Sequence, residues 1–135
     1  MMMTMSPDPP TAAATTAAFR QAVESQQMDA AIELLHPDAV FHSPIVYQEY
    51  IGRDAIAPVL RTVAEVFEEF RYTAEYASGD GHVLVFRTRV GNRDLEGVDI
   101  LRCAPDGRIS ELTVMVRPFS AAAELRTRMA ALLSG

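Results

Sequence analysis

From Ile56 to Phe70 apolar side chains recur every three or four residues, at Ile56, Val59, Leu60, Val63, Val66, Phe67 and Phe70. That spacing draws a broad stripe down one side of a helix, wide enough to lie across a sheet. Gly52-Arg53-Asp54 supplies its start signal, and Pro58 blurs the boundary of its first turn. Upstream, good helix formers over residues 12–27 place Phe19, Ala22, Val23 and Gln26 on one face, and residues 29–35 predict a second, short helix. His36-Pro37-Asp38 is expected to end it, before a short strand over residues 39–43 and a loop carrying Pro44, Tyr47 and Tyr50.

After Phe70 the period drops to two. Phe70, Tyr72, Ala74 and Tyr76 alternate with Arg71, Thr73, Glu75 and Ala77, and strands over residues 82–90, 95–103 and 108–117 follow, separated by turns rich in Gly, Asn and Asp. Ser120 then caps a last helix over residues 121–133. Helices packed on one face of an antiparallel meander predict an α+β fold. A long twisted sheet curling round a helix leaves a cone-shaped pocket between them.

The composition narrows what such a pocket can do. At 135 residues the chain is one domain's worth, with residues 1–11 read as a disordered lead-in and residues 12–135 as the domain. A net charge of −6 speaks against nucleic-acid and anionic-membrane partners. Every basic residue is arginine, which excludes lysine Schiff-base chemistry. Cys103 stands alone inside an apolar strand and suits a core position better than a nucleophile's. The first sixteen residues carry neither a basic region nor a long apolar run, so a cytoplasmic location is expected. His36, His42 and His82 lie far apart in different elements and predict no metal site, and no cofactor is expected. His36 and His82 fall at element ends, where solvent is expected to reach them.

The strongest candidate for chemistry is Asp99. In Gly97-Val98-Asp99-Ile100-Leu101-Arg102-Cys103 both parities are largely apolar, so both sheet faces are covered and the carboxylate has little access to open water. Such a group finds a partner or keeps its proton. It faces either a ligand or a structural arginine such as Arg87, Arg89 or Arg102.

The chain resembles the nuclear-transport-factor-2-like (NTF2-like) superfamily, in particular its SnoaL-like small proteins, over about Phe19 to Arg117. The likeness rests on Leu34-Leu35-His36-Pro37-Asp38-Ala39-Val40-Phe41-His42-Ser43-Pro44, on Gly52-Arg53-Asp54-Ala55-Ile56, and on Val98-Asp99-Ile100-Leu101-Arg102 followed by Asp106-Gly107-Arg108-Ile109. It implies a curved antiparallel sheet wrapped round N-terminal helices with a central pocket. The superfamily holds isomerases, epoxide hydrolases, polyketide cyclases and non-catalytic binding modules. By resemblance to the ketosteroid isomerases, Asp99 matches the protonated aspartic acid of the oxyanion hole, whereas Phe19 falls where a tyrosine belongs and Ser43 where the base belongs. By resemblance to limonene-type epoxide hydrolases, His42 falls on or beside the water-holding asparagine, but Gly91 and Val114 replace the two aspartates and only Arg89 of that relay is left.

Asp99 and His42 are therefore the expected polar pair, acid and base on an enolisable substrate, although alternation with Phe41 and Ser43 leaves the outer face open to His42. Phe19, Ser43, Tyr47, Tyr50, Val63, Phe67, Phe86, Leu101, Leu112, Val114 and Val116 are expected to line the pocket. Glu65, Glu68 and Glu69 read as the wet side of the third helix. On the other face of the sheet Val83, Val85, Val98, Ile100, Thr113 and Met115, interrupted by arginines and glutamates, suit a partner sheet and predict a homodimer. Three functions stay open: a cofactor-free isomerase, cyclase or hydrolase; a binding protein for a small apolar ligand; and a dimerisation or adaptor module whose pocket is filled by its own side chains.

Overall fold

The computed structural model describes residues 8–133, so residues 1–7 of the expected lead-in lie outside it. Helix α1 (Ala12–Glu24) opens with the Thr11 hydroxyl accepting the Ala14 N–H at 3.0 Å, a capping bond that satisfies one donor the helix leaves orphaned. Helix α2 (Met28–Glu33) is short, and strand β1 (Leu35–His42) follows almost at once. β1 thus takes in His36-Pro37-Asp38, expected to be a break. Proline has no N–H to give a ladder, and the register of β1 slips between Leu35 and Val40, around Pro37.

Tyr50 and Ile51, expected in a loop, form the two-residue strand β2 (Tyr50–Ile51) opposite Phe41 and Val40. Helix α3 (Arg53–Val66) is a turn shorter than its stripe predicts. Phe67 is already extended, and Glu68, Glu69 and Phe70 belong to strand β3 (Glu68–Ser78) rather than to the helix. The meander continues through β4 (Gly81–Val90), β5 (Arg93–Cys103) and β6 (Ile109–Arg117), and α4 (Phe119–Leu133) ends the described chain.

These strands make one curved, unclosed sheet in the order β2-β1-β6-β5-β4-β3, antiparallel throughout except where β1 lies parallel to β6. The fold is α+β, as the change of period predicts. On the inner face Leu84, Phe86, Leu95, Leu101 and Leu112 are almost fully buried with Phe19 of α1 and Ile56 of α3. Each such side chain contributes roughly 1.5–3 kcal/mol by leaving water. On the outer face Val83, Val85, Val98 and Ile100 are half-buried and Met115 is exposed, among ion pairs such as Arg87–Glu96 (3.2 Å) and Arg117–Glu96 (3.3 Å). Among the described residues no helix is long and apolar enough to cross a membrane.

Candidate functional site

A cavity of about 550 Å³ lies between the inner face of the sheet and helices α1, α3 and α4. Its walls are mostly apolar: Phe19 and Val23 from α1, Val59 and Val63 from α3, Phe41 from β1, Leu112 and Val114 from β6, Leu125 and Met129 from α4. Two polar side chains of β3 and β5 meet on this wall. The Tyr72 hydroxyl donates to Asp99 Oδ2 at 2.7 Å, with both residues buried.

The sheet register explains the meeting. Tyr72 pairs with Phe86 of β4, Phe86 with Gly97 of β5, and Asp99 lies two residues further along the same face. The tyrosine therefore reaches diagonally across β4. Gly97 makes room for this: a Cβ there would stand 2.4 Å from Phe86 Cζ and 2.7 Å from the Met115 carbonyl. The Phe86 ring fills that space, stacks on Phe70 with centroids 4.9 Å apart, and meets Tyr72 edge-on at 6.4 Å. Aromatic packing of this kind fixes the tyrosine ring as well as burying it.

Burial pushes Asp99 up to about 7, against which the Tyr72 hydrogen bond pulls it down. The Tyr72 phenol is raised well above its usual value, first by burial and then by the charge and hydrogen bond of Asp99. Near neutrality the pair thus holds a carboxylic acid that both donates and accepts protons, in surroundings where each hydrogen bond is worth more than in water. Cys103, by contrast, is a buried thiol raised mainly by burial and further by Asp80 and Asp106, the setting of an unreactive side chain.

Of the expected pocket residues, Phe19, Ser43, Tyr50, Val63, Phe67, Leu112 and Val114 line the cavity with Asp99. The Ser43 hydroxyl is occupied, accepting the N–H groups of Ile45 (3.0 Å) and Val46 (3.2 Å). Phe86, Leu101 and Val116 are not on the cavity wall. Phe86 and Leu101 are core residues behind it, and Val116 packs against that core. Tyr47 projects fully into solvent.

His42 needs a larger correction. Phe41 takes the inner face of β1, and the strand's alternation turns His42 away from it. Its Nε2 lies 2.7 Å from Glu111 and its Nδ1 3.2 Å from Glu49, with the side chain 31% exposed. His42 and Asp99 do not share a cavity. His82 also departs from expectation: it is buried, with Nδ1 lacking a hydrogen bond among the described residues and standing 3.8 Å from Glu75.

Three contributors escaped the sequence reading. Tyr72 sits at an inward parity that the alternation displays, but only the register brings it to Asp99. Phe41 carries the same parity signal on β1. The wall made by α4 had almost no signal, because only Ala121 and Leu125 of that helix are buried. At the cavity edge stand Glu24, Glu65, Glu69 and Arg126. Glu24 is paired with Arg20 at 3.3 Å and Glu69 with Arg89 at 3.5 Å.

Residues 16–112 match the SnoaL-like domain family. No curated protein matches the chain. Among solved structures, a steroid delta-isomerase from Pseudomonas aeruginosa is 40% identical over 96% of both chains, with a TM-score of 0.88. A protein with a cystatin-like fold from Silicibacter pomeroyi is 33% identical over 89% of this chain and 85% of its own, with a TM-score of 0.85. An NTF2-like protein from Mesorhizobium loti is 21% identical over 86% of this chain and 100% of its own, and its TM-score of 0.71 reflects a shared fold.

Proposed function

The chain belongs to the SnoaL-like domain family, and on that premise we propose that it binds a small, mainly apolar carbonyl compound and performs cofactor-free acid–base chemistry on it, of isomerase, cyclase or hydrolase type. The observation that carries this reading is the 2.7 Å bond between Tyr72 and Asp99 on the wall of an otherwise apolar cavity. A ligand carbonyl accepts a hydrogen bond from the Asp99 carboxylic acid, with Tyr72 bracing the far oxygen. The Glu65 carboxylate at the cavity edge takes the proton from the carbon next to the carbonyl and returns it to the far carbon of the shifted double bond, and while it holds the proton the charge grows on the carbonyl oxygen, where a preorganised donor in a dry site stabilises it most. The likeness to the Pseudomonas aeruginosa steroid delta-isomerase supports a steroid-sized ketone as the first probe.

The test is conversion of a β,γ-unsaturated steroid ketone to its conjugated isomer, followed by ultraviolet absorbance. Conversion that fails in Asp99→Asn supports the reading, and a wild type that shows no binding and no conversion sinks it. One observation favours binding without turnover instead. At the position where ketosteroid isomerases place a base, Ser43 is already committed to two backbone amides. Exchange of the bound ketone's α-hydrogens for solvent deuterium separates the two, since only the acid–base reading produces it. The adaptor alternative needs a pocket filled by the protein's own side chains, and the 550 Å³ cavity speaks against it.

The half-buried valines and ion pairs of the outer face support a homodimer formed sheet to sheet. Light scattering at micromolar concentration is expected to return twice the chain mass, and a monomer there excludes the dimer. A cytoplasmic location, with no nucleic-acid or membrane partner, is consistent with the net charge of −6.

A further inference from the structure

We propose that Arg20 is a positioning residue for the acid pair, holding Tyr72 within reach of Asp99 from outside the cavity. The inference rests on the reading of Asp99 and Tyr72 as the ligand's polar contact.

β3 is an edge strand, and its register against β4 shifts twice near Tyr72, between Glu68 and Arg71 and again between Tyr72 and Ala74. A residue between two such irregularities on an edge is only loosely fixed by the ladder itself. The Tyr72 N–H turns instead to α1, where Glu24 Oε2 accepts it at 3.4 Å. Arg20 holds that carboxylate, with Nε 3.3 Å from Glu24 Oε1. The same guanidinium reaches Glu75 Oε1 of β3 at 3.4 Å and stands 5.8 Å from the centre of the Tyr72 ring.

One planar cation therefore meets two carboxylates and an aromatic face at once, which a lysine ammonium on its single point cannot reproduce. Arg20 does not line the cavity and acts on it only through Tyr72. As a surface ion pair it contributes little stability, because these side chains are about one-third exposed. Its effect is on the phenol: the positive charge opposes the other influences that keep Tyr72 a weak acid, and a more acidic phenol is a better donor to Asp99. The charged groups around the pair are Arg20 and Glu24 from α1, Glu75 from β3, and His82 from β4 behind Glu75. Glu65, Glu69 and Arg126 stand at the cavity edge.

The experiment is a carboxyl-carbon NMR titration of Asp99 in the full-length wild type, Arg20→Gln and Arg20→Lys, with circular dichroism to confirm folding. In Arg20→Gln the Asp99 midpoint is expected to rise by about 0.5 pH unit or more, since Tyr72 donates more weakly and Glu24 and Glu75 lose their counter-charge. Arg20→Lys restores part of the shift, because it keeps the charge but not the fork. A folded Arg20→Gln variant whose Asp99 titrates with the wild-type midpoint overturns the inference and leaves the functional reading intact. A wild-type Asp99 that titrates in the ordinary carboxylate range instead overturns the functional reading beneath it. Unchanged Asp99 midpoints in both variants assign Arg20 to edge structure alone and also overturn the proposal.

Discussion

Asp99 and His42 occupy the same sheet, yet the two faces give them opposite settings. Asp99 faces inward with one neutral partner, the Tyr72 hydroxyl, and no counter-ion beside it among the described residues. His42 faces outward between Glu49 and Glu111, with solvent at hand. The outer group has two carboxylates beside it and water to screen them, so its polar atoms are already satisfied. The inner group has neither, so burial sets the direction of its protonation and the Tyr72 hydrogen bond only opposes it. What makes a side chain chemically useful here is the lack of compensation around it, not the type of the side chain.

That contrast breaks first on stability. Because the folded-state value of Asp99 is raised to about 7, the native protein holds a proton that the unfolded chain releases from about pH 4 upward. More protons bound in the native state means stability falls as pH rises across that window, by roughly 4 kcal/mol at most for this one group. Asp99→Leu is expected to remove this slope in urea unfolding at pH 5 and pH 7.5, and a variant with the wild-type slope would show Asp99 to be an ordinary carboxylate. Next comes catalysis: Asp99→Asn is expected to lower turnover of the unsaturated ketone on the order of 100-fold, read by initial rates. Tyr72→Phe follows, with a loss of about tenfold and an upward shift of the Asp99 titration, since the hydrogen bond that holds it down is gone. His42→Ala closes the series. It is expected to change turnover less than about twofold and stability by about 0.5–1 kcal/mol, and a large loss of turnover there would erase the distinction between the faces.

The fold was legible where a period was long enough to repeat. The α3 stripe and the two-residue alternation of β3 to β6 each state their own geometry. β1 was partly hidden because His36-Pro37-Asp38 reads as a break, and only a neighbouring strand shows that the chain runs through it with a slip in register. At the site, Asp99 was visible because both parities around it are apolar, a local property. Tyr72 was not, since its partner depends on which residue of β4 separates it from β5, and pairing across strands leaves no mark on either strand alone. His42 turned on a single residue of phase, which one short strand does not settle.

Gly97 sets a limit on how this pocket can change its shape. Any larger side chain there evicts the Phe86 ring, and Phe86 leans on Tyr72. A purely apolar substitution would thus reach the acid by steric relay, and inheritance has little room to vary at the pocket's base. The α4 wall is the reverse case, since the half-buried Met129 and the exposed Leu133 line the cavity from a helix that buries little beyond Ala121 and Leu125. Selection, or an engineer, can remodel the mouth there and leave the base alone, so the fold separates a wall that tolerates change from one that does not.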